Sequence, residues 1–285
     1  MAEHYGSVGG AEVVVVDDAD ALAQEAARRL VATLAEAIRR RGEAHLALTG
    51  GSSAVTLYRE LAAGWSDALD WRRVHLWWGD ERFVPVDHPE SNIGMAYATL
   101  LQASARGGTS GVGSQGVDVT AGDAPGLDVL AENVHPFEID EAMNESDAAA
   151  LVAEQYAEEL GRFLPQNDDG LPAFDVILLG VGDDGHILSV FPESEALDQA
   201  GALVQAIPAP GHIEPKLPRV TLNPRLLEAA GQVLVMVPGA GKAEIVKRLL
   251  AQPDGDSRQL PARLALRPNA AWLLDRESAG LLDRH

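Results

Sequence analysis

Short apolar runs alternate with stretches of helical period along most of the chain. Residues 12–16 read as a strand. Residues 20–41 read as a helix, with Leu22, Ala26, Leu30, Leu34 and Ile38 on one face and Gly42 placed as its C-cap. A strand over 45–48, a helix over 54–63 and a strand over 74–78 follow. Residues 79–92, rich in Asp, Glu and Pro, read as a loop. Further on the pattern predicts a short strand over 134–137, a helix over 147–164 and a buried strand over 175–179. Strands over 203–207, 219–222, 232–237 and 271–274 come next, with helices over 224–230 and 242–251 among them. The alternation implies an α/β fold: a doubly wound, mostly parallel sheet with helices on both faces and room for a small secondary subdomain. Ligands in such sheets bind beyond the carboxyl ends of strands. The loops after Leu48, Trp78, Leu179 and Val237 are therefore the places to look.

The length of 285 residues, with 46% hydrophobic and 23% charged residues, fits a globular chain with a full core. We expect one domain over 1–285, carrying a flexible glycine-rich insertion at about 104–126. The longest apolar stretches, 13–16 and 233–237, are far short of a membrane span. The first residues carry neither a basic segment nor an apolar one, so a cytoplasmic protein is the expectation. Cysteine is absent, which removes disulfides, zinc–thiolate sites, iron–sulfur clusters and thiol nucleophiles together. With 22 basic and 43 acidic residues the net charge is −21, a poor match for nucleic acid or anionic lipid. An anionic substrate would need a local site built against this background.

Four loops could build such a site. Thr49-Gly50-Gly51-Ser52-Ser53 joins a strand to a helix, where glycines admit a ligand and free amides favour an anion. It lacks the Gly-Lys-Ser/Thr ending of a P-loop, and by itself also reads as a tight turn with an N-cap serine. In Gly79-Asp80-Glu81-Arg82, Arg82 can fork onto a phosphate or carboxylate, and Asp80 or Glu81 can be a base or orient one; a solvated loop with an Asp80–Arg82 ion pair is the other reading. Gly180-Val181-Gly182-Asp183-Asp184-Gly185-His186 matches G-x-G-x-x-G literally. A dinucleotide loop needs a full helix after it, and here Phe191-Pro192 looks like a stop. The loop reads better as presenting Asp184 and His186, the acid orienting an imidazole suited to proton transfer. No second close histidine supports a metal, although a structural turn histidine remains open. In Pro238-Gly239-Ala240-Gly241-Lys242, a lysine in the first turn of a helix is disfavoured by the helix dipole unless an anion shares the site. Lys216 and Arg219 could add positive charge from a neighbouring segment, or be ordinary surface charge. Together the loops read as a site for a phosphorylated small molecule, with chemistry by His186 and neither metal nor redox cofactor.

At these residues the sequence resembles the 6-phosphogluconolactonases, in the larger group they share with glucosamine-6-phosphate deaminases. The resemblance rests on TGGSS (49–53), WGDERFVP (78–85) with HPESN (88–92), and FDVILLGVGDDGHILSVFP (174–192). It continues through PKLPRVTLN (215–223), VPGAGKA (237–243) and AWLLD (271–275), in family order over nearly the whole chain. The sister deaminases typically have Asp-Glu-Tyr where this chain has Asp80-Glu81-Arg82. They also carry a glutamate shortly after the histidine, where this chain reads Ser189-Val190-Phe191-Pro192. Both differences favour the lactonase branch. Ile187 and Leu188 replace a common Thr-Ala, Asn223 replaces a common Thr, and the insertion is longer than usual.

The resemblance implies hydrolysis of 6-phospho-D-glucono-1,5-lactone to 6-phosphogluconate, in the oxidative pentose phosphate pathway, without cofactor or metal. His186 would be the general base, Asp184 would orient it, and Asp80 is a weaker candidate for a similar role. Gly50, Gly51, Ser52, Arg82 and Lys242 would hold the 6-phosphate, with Lys216 or Arg219 closing over it. The expected partner is the phosphorylated sugar lactone, with no nucleic acid and no membrane, and the expected state a monomer or weak homo-oligomer. The alternatives are a deaminase or other sugar-phosphate isomerase on the same scaffold, and a non-catalytic sugar-phosphate sensor.

Overall fold

The computed structural model describes residues 3–101, 126–143, 145–198 and 201–282. The insertion expected at 104–126 lies, but for its last residue, outside them. Two sheets organise the fold. The larger has eight strands in the order β1-β2-β11-β10-β7-β3-β4-β6. Its members are β1 (Glu3–Val8), β2 (Ala11–Val16), β3 (Ala44–Leu48), β4 (Val74–Trp78), β6 (Val134–His135), β7 (Val176–Leu179), β10 (Gln232–Val237) and β11 (Ala270–Asp275). All pairings are parallel except the β1–β2 hairpin. The smaller sheet is antiparallel, with β5 (Asp80–Arg82), β9 (Arg219–Leu222) and β8 (Val204–Ile207) in that order.

Parallel strands covered on both faces read as continuous apolar runs. Accordingly every residue of β3, β7 and β11 is buried. Adjacent residues of a strand point to opposite faces, and the tryptophans of β4 show which helices cover which face. Trp78 meets Tyr97 of helix α3 (Asn92–Thr99). Trp77 meets Tyr156 and Phe163 of helix α5 (Ala148–Phe163). Helix α1 (Ala19–Arg41) packs beside α2 (Ser52–Gly64), which in turn packs beside α3. The start of α1 is capped by Asp18, which accepts from the Ala21 amide at 2.9 Å, and its end by Gly42 in the left-handed region. The remaining helices are α4 (Ile139–Ala142), α6 (Leu226–Ala229) and α7 (Ala243–Ala251). No helix among the described residues is long and apolar enough to cross a membrane.

Several expectations are corrected. The segment 79–92 is not all loop, because Asp80–Arg82 pairs with β9. Its three charged residues carry no apolar period, so the strand is set by its partner rather than by its own pattern. The β1 strand and α3 were not anticipated. The helix expected over 224–230 shortens to Leu226–Ala229, and that expected from 242 begins at Ala243 after a 3₁₀ turn, Ala240–Lys242.

The chain winds outward from β3 through β4 to β6, and from β7 through β10 to β11. The strands β3 and β7 are neighbours, with Leu46 opposite Val176 and Ala47 opposite Ile177. Their carboxyl ends therefore open at the topological switch point, where doubly wound sheets leave a crevice.

Candidate active site

One cavity lies at that switch point. It is lined by Thr49, Gly50, Gly51, Ser52 and Ser53 after β3, by Asp80 and Arg82 of β5, and by Gly180, Val181, Gly182, Asp183 and His186 after β7. Pro238 and Lys242 reach it from the loop after β10, and Arg219 from β9. All four loops singled out from sequence thus contribute to one wall.

Two buried tyrosines fix where the first two loops depart. The Tyr58 hydroxyl accepts from the Thr49 amide at 3.0 Å and donates to the Thr49 carbonyl at 2.7 Å, pinning the end of β3. The Tyr156 hydroxyl does the same for Trp78 at the end of β4, accepting from its amide at 2.8 Å. Beyond Thr49 the chain turns through Gly51, and α2 begins at Ser52 without a side-chain cap. The open first turn of this 13-residue helix lines the cavity and favours an anion there.

The third loop folds back tightly. The Gly182 amide donates to the His186 carbonyl at 2.9 Å, and the Gly185 amide to the Gly182 carbonyl at 2.9 Å. A Cβ on Gly182 would stand 2.0 Å from His186 Nδ1, so no larger residue fits beneath the ring. Asp184 Oδ1 lies 2.6 Å from His186 Nδ1 and accepts the His186 amide at 3.1 Å. Burial pushes the Asp184 carboxyl up. Hydrogen bonds from His186 and His212, with the attraction of His186, outweigh it and hold the group well below the usual carboxylate range. An ionised carboxylate only accepts, so Nδ1 is the donor in this contact, and the neutral imidazole that makes it leaves a lone pair on Nε2. Asp184 is absent from the cavity lining and touches it through His186.

Asp80 is placed differently from its expected role beside the imidazole. It is buried, and its Oδ2 accepts from Ser189 Oγ at 2.6 Å. Thr221, its cross-strand partner, accepts the Ser189 amide at 3.1 Å through Oγ1. Asp80 thus ties the segment after His186 to the small sheet. Glu81 is wholly buried and turned away from the cavity. Burial pushes it up to about 7, against donors from the amides of Asn92, Ile93 and Arg82 and from the Ser91 hydroxyl. It anchors the start of α3 and, with it, Asn92, whose side chain donates to the Asp80 carbonyl at 2.9 Å and lines the cavity.

Arg82 and Arg219 face each other across β5 and β9 as register partners. Like charges in that position repel. Arg82 donates through Nη1 to the Glu90 carbonyl at 2.5 Å, and Arg219 through Nη2 to the Pro215 carbonyl at 3.1 Å. The Nε of each is buried without a partner. Burial lowers the Arg219 pKa from its ordinary value; Asp80 opposes that shift and Arg82 adds to it. A buried and a partly buried guanidinium on one cavity wall form a place prepared for an anion.

Lys242 lines the cavity but is already engaged, with Nζ 2.7 Å from the Val181 carbonyl and 2.5 Å from Asp183 Oδ1. It clamps the loop after β10 onto the loop after β7. The amides of Gly239 and Ala240 do not serve the cavity either. They donate to Asp275 and Glu277. Lys216 is not brought to the site: it is exposed, absent from the lining, and 3.5 Å from Glu214. Its side chain lies in a loop that reaches the cavity through Ile213 instead.

The sequence reading missed Asn92, Leu188, Ile213 and His212. Asn92 stood in a quoted motif, HPESN, but no spacing marked its side chain as functional. Leu188, at φ 54°, carries an unusual backbone beside the histidine. No group of three or more His, Asp or Glu side chains among the described residues is arranged to hold a metal ion.

Comparison with known proteins adds to this geometry. A family model described as glucosamine-6-phosphate isomerases/6-phosphogluconolactonase matches residues 17–274. A 6-phosphogluconolactonase of Synechocystis is 34% identical over 86% of this chain and 87% of its own. One of Mycobacterium tuberculosis is 33% identical over 95% of this chain and 98% of its own. The solved structure of 6-phosphogluconolactonase from Trypanosoma brucei aligns with a TM-score of 0.78 at 28% identity, over 98% of this chain and all of that one.

Proposed function

The chain belongs to the glucosamine-6-phosphate isomerase/6-phosphogluconolactonase family, and we propose that it is a lactonase hydrolysing 6-phospho-D-glucono-1,5-lactone to 6-phosphogluconate in the cytoplasm. The relatives with that name, similar over most of their length, support the assignment. The observation that carries it is the joint placement of a carboxylate-held imidazole and a cross-strand pair of arginines on one cavity wall.

In this reading the 6-phosphate binds Arg82, Arg219 and the open first turn of α2 around Gly50, Gly51 and Ser52. Binding the remote phosphate fixes C1 of the lactone against His186. Nε2 takes a proton from water as its oxygen bonds to C1. The tetrahedral oxyanion is met by fixed donors of the glycine loops. Collapse breaks the bond from C1 to the ring oxygen, and the imidazolium returns its proton to that oxygen as the 5-hydroxyl. The new carboxyl ionises, releasing one proton to solvent. Asp184 holds the imidazole in the tautomer that leaves Nε2 free, and stabilises its positive charge. The lactone is already activated by its ring, so neither covalent nucleophile nor metal is required. Lys242 acts by clamping two loops, and Lys216 takes no part.

Proton release at neutral pH tests the reading, with lactone made in situ from glucose 6-phosphate and its dehydrogenase. Hydrolysis well above the spontaneous rate is expected, with His186→Ala losing roughly 10²- to 10⁴-fold in kcat and little in KM. Unchanged kcat in that variant would refute the base assignment. No acceleration, with ammonia released from glucosamine 6-phosphate, would move the protein to the sister activity.

A further inference from the structure

The carboxylate that holds His186 is shared. Asp184 Oδ1 faces His186 Nδ1 at 2.6 Å, while its Oδ2 faces Nε2 of His212 at 2.8 Å. His212 is half-exposed, on the loop between β8 and β9 that also brings Ile213 to the cavity. Phe191 contacts both imidazoles. Its centroid is 4.7 Å from that of His186, and 5.8 Å from that of His212 in an edge-on contact. The Arg219 guanidinium packs over Phe191 at 5.2 Å. One ring and one carboxylate thus connect the base, the flanking loop and an anion-binding arginine.

We propose that His212 is a positioning residue for the lactonase reaction, acting through Asp184 to hold the carboxylate against His186 and to limit its pull on the imidazole proton. The proposal rests on reading His186 as the base. Without His212 both donors to the carboxylate, His186 Nδ1 and the His186 amide, fall on Oδ1, and Oδ2 has none to hold the group against rotation about Cβ–Cγ. With both oxygens bonded it is locked, and the imidazole inherits that orientation. The second bond also has an electrostatic consequence. A donor on Oδ2, neutral or cationic, draws negative charge away from Oδ1 and weakens its stabilisation of the His186 imidazolium. His212 therefore offsets part of the pull that Asp184 exerts on the imidazole it holds. Other charges line the same cavity: Asp80 and Arg82 on β5, Arg219 on β9, Asp183 on the His186 turn and Lys242 after β10. Glu214 and Lys216 pair with each other further along the His212 loop. None of these is altered by changing His212, so a shift on its removal reports the shared carboxylate.

The test is a set of three variants. His212→Ala removes the donor. His212→Gln places an amide N–H near the position of Nε2, and His212→Asn places one near Nδ1, out of reach of Asp184. Two quantities are read: the His186 imidazole titration by NMR, and the pH profile of kcat/KM by proton release. In His212→Ala and His212→Asn the His186 midpoint and the acid limb both move to higher pH, by about half a unit or more, and plateau kcat falls roughly 2- to 10-fold. His212→Gln restores both. A folded His212→Ala protein with an unmoved midpoint and acid limb overturns the proposal, as does failure of His212→Gln to differ from His212→Ala. His186→Ala in the same assay separates the two ideas: if it keeps full kcat, the base reading fails, while the NMR midpoint still reports the coupling through Asp184.

Discussion

Gly182→Ala probes how closely the turn sets the base. Gly182 lies outside the left-handed region, so alanine meets no backbone penalty there, and its effect comes from the added methyl alone. That carbon would stand 2.0 Å from His186 Nδ1, 2.2 Å from Cε1 and 2.7 Å from Asp184 Oδ1. Ordinary contact begins near 3.4 Å, so the ring must retreat by more than about 1 Å and separate from Asp184 as it goes. A catalytic group misplaced by about 1 Å costs roughly 100-fold, and complete loss of a general base up to about 10⁴-fold. The expected fall in kcat lies between these bounds. The phosphate contacts are on other loops, so KM changes little. Overpacking of this kind costs about 1–3 kcal/mol of stability, which leaves a protein of this size folded at 25 °C. Proton-release kinetics give kcat and KM, and thermal unfolding by circular dichroism confirms folding. A folded Gly182→Ala protein with kcat within about threefold of wild type would refute the claim that this turn positions the base, since that is a loss of less than about 1 kcal/mol.

Two further predictions concern the arginine pair and the far end of the sheet. Arg219→Met is expected to raise KM about 10-fold or more with kcat less affected, and to abolish the rise in Tm that millimolar inorganic phosphate gives the wild type; a retained rise would show that phosphate binds elsewhere. His45 and His75, near the starts of β3 and β4, and His135 of β6 form a stack that ends on Trp77. Burial first, then mutual repulsion, lowers His45 to about 3 and His135 to about 4, against 6.5 when unfolded. A lowered histidine is neutral in the fold, so stability is complete above pH 6.5 and lost as pH falls toward those values, by up to about 1.4 kcal/mol per pH unit for each group. Urea unfolding between pH 7 and 5 should show this loss. His135→Phe should reduce its slope by about one proton, and an unchanged slope would sink the assignment.

Sequence pattern reached most of the large sheet because its strands are buried on both faces. The runs in β7 and β10 are apolar without interruption, and their boundaries emerge within a residue or so. In the small sheet β8 and β9 were equally legible, and only β5 was not. Asp80–Arg82 is a strand by virtue of β9 lying beside it, and three charged residues give no period to read. The site divides in a similar way. Glycine loops at strand ends are a local signal, and the switch point gathers them into one cavity whatever their long-range detail. Contacts made across sequence distance carry no such signal. His212 is 28 residues from Asp184 in a proline-rich stretch, and Lys216, chosen for its charge, points at Glu214 instead. The amides of Gly239 and Ala240 look like an anion cradle until Asp275, 36 residues on from Gly239, is seen to fill it.

The contrast between global and local charge follows from the same distinction. A net charge of −21 should repel a phosphorylated substrate at long range. That repulsion comes mostly from exposed carboxylates, which salt screens over roughly 8–10 Å. Arg219 is buried in the cavity wall and Arg82 partly so, and solvent screens their charges less there. Cross-strand register forces the two guanidiniums together before any ligand arrives, so part of the work of assembling an anion site is done by folding. Their mutual repulsion is a cost to the free protein that a bound dianion removes. The acidic exterior thus slows the approach of substrate more than it weakens the hold of the site.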